Sequence, residues 1–160
     1  MLWRIETSLR RDVEDVIGRR VAAGVVKTLG LPVTSARIVK VFTVAGLDRA
    51  EIEQALAAAA LHDPVSQRAS LTPLAQPEDF DWAIEAGLRP GVTDNEGRTA
   101  RDTLAMCLGL PADRARDLKV YTSAQYLLRG ELTREDVERL GRDMLANELI
   151  QRFRIKSADE

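Results

Sequence analysis

The stretch WAIEAGLRPGVTDNEGRTA, from Trp82 to Ala100, reads as a strand, a glycine-rich bend and the start of a helix, and it has an earlier twin. Sliding the chain along itself by 79 positions lays Trp3, Ile5, Glu6, Leu9, Arg10, Val13, Asp15, Gly18 and Arg19 over Trp82, Ile84, Glu85, Leu88, Arg89, Val92, Asp94, Gly97 and Arg98. The match runs without a gap through Leu29 to Pro32 against Leu108 to Pro111. It then takes in Ala36 and Arg37 against Ala115 and Arg116, and Lys40, Val41 and Thr43 against Lys119, Val120 and Thr122. A chain of 160 residues with this pattern is a two-fold internal repeat.

Each repeat predicts the same five elements. Trp3, Ile5, Thr7 and Leu9 alternate with polar residues as a half-buried strand does, and so do Trp82, Ile84, Ala86 and Leu88. Ile17, Val21, Val25 and Leu29 recur every four residues ahead of Gly30, which predicts an amphipathic helix with a left-handed cap. The second copy places Ala100, Leu104, Cys107 and Leu108 ahead of Gly109. The β-branched run Ala36 to Val44 and its match Asp117 to Leu128 predict second strands, the longer in repeat two. Asp48 with Glu51, and Thr133 with Asp136, have capping-box spacing and predict second helices. Gln67 to Leu71 and Leu149 to Ile155 read as third strands.

These signals place one repeat at 1–71, a linker with two prolines at 72–79, the second repeat at 80–155 and a polar tail at 156–160. The expected fold class is α+β: two β-α-β-α-β repeats packed as an intramolecular pseudo-dimer, with helices on the outer faces of the sheets. Units of this size are marginal alone and gain by packing on each other.

Composition narrows the function. Twenty-three Lys and Arg against 25 Asp and Glu leave a formal charge of −2, without the basic footprint of a nucleic-acid binder or a polybasic membrane patch. No apolar run is long enough to span a bilayer, and one cysteine fits a reducing compartment, so a soluble cytoplasmic protein is expected. No Walker-type phosphate loop occurs. Cys107 and His62, the only residues of their types, read as a small core residue and a helix-end residue. Glu6, Glu85, Glu51, Glu53, Asp136 and Glu138 read as outward or helix-start acids. No catalytic, cofactor or metal set is expected in the chain.

The candidate site is the bend. Pro90 fixes its backbone, Gly91 permits an unusual dihedral, Asp94 can cap the next helix, and Gly97 lets another backbone come close. With Arg89 and Arg98 beside it, the bend either holds an anion or a partner's carboxylate, or serves only to turn strand into helix.

In their order, LRPGVTDNEGRTA (88–100), LGL (108–110), LKVYTSAQYLL (118–128) and MLANELIQRF (144–153) resemble the small PurS-type subunit of phosphoribosylformylglycinamidine (FGAM) synthase. The resemblance covers nearly all of Phe80 to Ile155 and, more weakly, Leu2 to Leu71. Asn95 and Glu148 stand where that family often has proline, and repeat one has Arg11 and Asp12 in place of Pro90 and Gly91 while keeping Pro64 and Val65. The resemblance implies a tandem form of a subunit that normally dimerises. It also implies a place in de novo purine synthesis, where ATP, Mg²⁺ and glutamine-derived ammonia convert formylglycinamide ribonucleotide to its amidine. The implied partners are the synthetase large subunit and the glutaminase subunit, or the rest of a fused chain, and the implied role is assembly without an active site. The competing expectation, from the fold class alone, is a regulatory module that binds a small molecule.

Overall fold

The computed structural model describes residues 1–160. The chain is α+β, with one antiparallel sheet of six strands and five α-helices. The strands are β1 (Leu2–Leu9), β2 (Val33–Ala45), β3 (Gln67–Ser70), β4 (Trp82–Leu88), β5 (Lys119–Gly130) and β6 (Gln151–Ser157). The helices are α1 (Val16–Leu29), α2 (Arg49–Ala57), α3 (Asn95–Leu108), α4 (Ala112–Asp117) and α5 (Arg134–Leu140). Hydrogen-bonded neighbours run β3-β1-β2-β5-β4-β6. Since the six strands share one sheet, the expected pair of sheets is corrected to a single one.

Local chemistry sets the element ends. Asp15 and Asp94 cap α1 and α3 by accepting the N–H of Gly18 and Gly97, each at 2.7 Å. Both helices stop at a left-handed glycine, Gly30 (φ 65°) and Gly109 (φ 60°). Reciprocal capping boxes open α2, between Asp48 and Glu51, and α5, between Thr133 and Asp136. The two tryptophans anchor the loops before these helices, Trp3 donating to the Leu47 carbonyl at 2.9 Å and Trp82 to that of Leu132 at 3.1 Å.

The chain forms two compact units, and they are not the repeats. The first comprises 1–13, 40–74 and 93–122, and the second comprises 14–39, 75–92 and 123–160. In the first unit, Ile5, Phe42, Val44, Ile52 and Ala55 of repeat one close on Ala100 and Leu104 of α3 and on Leu118 and Val120, all from repeat two. In the second, Ala22 and Val25 of α1 and Val33 of β2 close on Ile84, Leu128, Val137 and Leu140. The first helix of each repeat thus seals the core to which the other repeat contributes its outer strands. Strands β2 and β5 are each divided between the two units.

Four sequence expectations change. Past Pro111 the register is no longer 79, which would put Asp117 opposite Ile38. The structure puts Thr122 in the role of Ile38, and α4 is the insert that takes up the difference. The matches of Ala36 and Arg37 with Ala115 and Arg116 therefore fall within an inserted helix. Strand β2 has 13 residues and β5 has 12, so repeat two does not carry the longer one. Glu6 is not outward but only 4% exposed, bonded by Arg4 Nε at 3.0 Å and by the Leu74 N–H of the linker at 2.9 Å. The polar tail at 156–160 is not separate from the second repeat: β6 runs to Ser157, whose N–H donates to Glu160 Oε2 at 2.9 Å, and Glu160 pairs with Arg134.

Helix α4 adds a tie of its own. Arg114 forks onto Glu51 of the α2 capping box at 2.5 and 3.0 Å and reaches the Gly46 carbonyl at 3.2 Å. Those bonds from Arg114, then the Asp48 N–H, hold the Glu51 carboxyl at about 2. A depressed carboxylate stabilises the fold fully above its unfolded value of about 4.3 and loses that contribution as the pH falls toward 2. Glu51→Gln is therefore expected to lower the urea midpoint at pH 6 and to have a smaller effect at pH 2.5. An equal loss at both pH values would show that the contact is not charge-assisted.

The divided cores generate a second expectation. Residues 1–76 and 77–160, made separately, should lack cooperative unfolding by circular dichroism, because each has half of two cores. Mixed, they should recover it. Two halves that melt cooperatively as monomers would contradict the shared-core account.

Candidate interaction site

The six bend residues fall into two groups with different tasks. Asp94, Gly97 and Arg98 belong to the first compact unit, and Arg89, Pro90 and Gly91 to the second.

Asp94 is a latch. Besides the Gly97 N–H, its carboxylate accepts the backbone N–H of Thr122 at 2.6 Å and the Thr122 hydroxyl at 3.0 Å, so one side chain joins the start of α3 to strand β5. Gly97 permits this closeness, since a Cβ there would lie 2.3 Å from the Val120 carbonyl oxygen. Repeat one repeats the device: Asp15 accepts from Gly18 and, at 2.9 Å, from the Ile38 N–H, and a Cβ on Gly18 would lie 2.3 Å from the Ala36 carbonyl oxygen. Turning strand into helix fully employs these two residues. Arg98 is exposed on α3.

Arg89 is a clamp. Its N–H donates to the Ile150 carbonyl and its Nε to the Glu148 carbonyl, both at 2.8 Å, which grips the turn leading into β6. Pro90 and Gly91 are exposed, and Gly91 has φ 88°. The gripped turn is braced internally. Asn147 Oδ1 accepts the Leu149 N–H at 3.2 Å, Asn147 N–H donates to Gln151 Oε1 at 2.9 Å, and Gln151 N–H donates to the Asn147 carbonyl at 2.6 Å. Leu149 stands at its tip, 87% exposed.

The first unit contains the same assembly. Arg10 N–H donates to the Ser66 carbonyl and Arg10 Nη2 to the Pro64 carbonyl, both at 2.8 Å. Asp63 Oδ1 accepts the Val65 N–H at 2.9 Å, Asp63 N–H donates to Gln67 Oε1 at 2.9 Å, and Gln67 N–H donates to the Asp63 carbonyl at 2.8 Å. The Val65 N–H, then the Ser66 hydroxyl, hold the Asp63 carboxyl below its ordinary value. Val65 at the tip is 84% exposed.

Of this set the sequence pattern reveals the arginines and the bend but not Asp63, Val65, Gln67, Asn147, Leu149 and Gln151. The signal was present: Asp or Asn followed four places later by Gln, once in each repeat. The inserted α4 hid it from a comparison at fixed spacing.

His62 is half-buried in the turn after α2, with its Nδ1 buried and without a hydrogen-bond partner. Cys107 is half-buried on α3. Glu85 is bonded by the Ser123 hydroxyl at 2.7 Å. No helix is long and apolar enough to cross a membrane. Compared with known proteins, the chain matches no family model, and no curated protein matches it in sequence.

Asp94→Ala removes a cap and strands the Thr122 N–H, so a loss of about 2–3 kcal/mol is expected from chemical denaturation. Gly97→Ala should cost about as much or more, because the helix must move off the strand. An unchanged midpoint for either variant would contradict the latch.

Proposed function

We propose that the chain is a non-catalytic bridging component of an FGAM synthase, joining glutaminase and synthetase parts in the conversion of formylglycinamide ribonucleotide, ATP and glutamine to FGAM. The reading starts from the resemblance of Leu88 to Phe153 to the PurS-type subunit. One structural observation carries it further: each compact unit holds an exposed aliphatic side chain, Val65 or Leu149, on a turn immobilised by five matched hydrogen bonds. An isolated exposed aliphatic residue is ordinary. A pair of them, each fixed by an arginine clamp and a side-chain brace, suits docking to other proteins, because little side-chain or loop entropy remains to be lost on binding.

Under this reading the two repeats are a fused pseudo-dimer that exchanges its first helices, and fusion replaces the association of two single-repeat chains. ATP and Mg²⁺ belong to the synthetase partner and the thiol nucleophile to the glutaminase partner, in the cytoplasm.

Reconstitution tests it. With purified synthetase and glutaminase parts, ATP and Mg²⁺, amidine formation should require this chain, which by itself should release neither ammonia from glutamine nor phosphate from ATP. Val65→Asp with Leu149→Asp should leave the unfolding midpoint within about 0.5 kcal/mol and weaken complex formation about tenfold or more. Full activity without the chain would overturn the proposal. So would undiminished assembly with the double variant.

A further inference from the structure

The first compact unit contains a cleft of about 420 Å³ whose lining includes Lys40 and Phe42 of β2, Ala60 and Leu61 after α2, and Asn95, Glu96, Ala100 and Thr103 of α3. That volume lies in the range of small-molecule sites, and an apolar floor with a few convergent polar groups is their usual composition. We propose that this cleft binds a small zwitterion with an apolar side chain, of the α-amino-acid class, its carboxylate on Lys40 and its ammonium on Glu96.

The duplicated fold shows that the opening is not a necessary by-product of the architecture. The second unit closes the matching space. There α5 runs on into a wide π turn, Gly141–Leu145, and Met144 from that turn lies against Gly24 of α1, so close that a Cβ on Gly24 would come within 2.9 Å of its methyl carbon. Counting from the two capping boxes, Ala59 holds the place of Met144, and counting from Gly18 and Gly97, Thr103 holds the place of Gly24. In repeat one the helix ends early instead. Ala59 adopts φ 53°, a left-handed conformation strained for a residue with a Cβ, and Ala60 and Leu61 become one wall of the cleft. A methionine plug in one unit is replaced by a small residue and open space in the other.

Charge selects the ligand. Lys40 and Glu96, both in the lining, form an ion pair from strand to helix. Lys40 is half-buried, and burial pulls its proton affinity below the ordinary value although the charge of the Asp94 carboxylate acts the other way. A ligand that is only an anion would approach Lys40 beside both Glu96 and Asp94 and be repelled. One that is only a cation would draw Glu96 off and leave Lys40 uncompensated in a partly desolvated position. A zwitterion exchanges the internal pair for two pairs, so no charge is left without its opposite, and its side chain covers Phe42, Leu61 and Ala100.

Titration calorimetry of the whole chain with L-leucine, L-isoleucine, L-methionine and L-phenylalanine tests this proposal. Saturable binding of at least one is expected, weakened about tenfold or more by N-acetylation, by amidation of the carboxylate, and by Lys40→Met or Glu96→Gln. Thr103→Met, which fills the cleft from the helix position corresponding to Gly24, the residue that Met144 covers in the second unit, should abolish binding while keeping the unfolding midpoint. Absence of saturable binding at about 10 mM for all four would overturn the proposal. So would N-acetyl or amide forms that bind as tightly as the parent, or undiminished binding to Thr103→Met. The bridging role stands or falls separately, on Val65 and Leu149.

Discussion

The fold depends on a carboxylate that serves two elements at once. Asp15 and Asp94 each satisfy an N–H that a helix start leaves open and an N–H that a strand presents, Ile38 in one case and Thr122 in the other. A single charged acceptor shared in this way brings the helix end down onto the strand edge, which only glycine at the third helical position tolerates. The Asp-x-x-Gly spacing seen twice in the sequence is the imprint of this latch. Its consequence is geometric: α1 and α3 are set over the far halves of the long strands β2 and β5, and so over cores that the other repeat completes.

That exchange explains why neither repeat is a domain. A conventional tandem would put two cores in two stretches of sequence, joined by the linker at 72–79. Here the chain enters and leaves each compact unit several times, and the linker itself is bound down, with the Leu74 N–H on Glu6 and the Leu74 carbonyl accepting from Arg68 at 3.2 Å. Because each core is built from both halves of the sequence, its burial energy is gained only when both are present. Covalent continuity between the two halves is thereby a condition of stability.

Much of this architecture was legible, and the illegible parts share a cause. Caps, left-handed glycines and period-two strands are local, and Asp48, Thr133, Gly30 and Gly109 announced them from sequence alone. The partner of an apolar stripe is not local. Periodicity states that Ala22 and Val25 are buried but not that Ile84 and Leu128 bury them. Helix α4 is not legible in the sequence because its six residues, ADRARD, bury none of themselves and carry no apolar period. Glu6 reads as an outward acid because its burial is not local: the returning linker, 68 residues away, makes it an interior acceptor. At the candidate site the bend was legible, but the turns it grips were not, because the insert had shifted them out of step.

Duplication provides an internal control on what each feature is for. The latch, the tryptophan anchors and the capping boxes recur in both copies, and each satisfies a donor or acceptor that folding would otherwise leave open. The clamped turns recur too, yet their exposed tips bury nothing, so folding does not account for an aliphatic side chain at either one. The cleft at Lys40 lies in the first unit, and in the matching place of the second Met144 packs against Gly24 of α1. A feature present in both copies without a stabilising role, and a feature opened in one copy beside a strained Ala59, are the two that stability does not explain. The tips and the cleft are therefore the two surfaces on which the proposals rest, the tips as places for contact with other proteins and the cleft as a place for a ligand.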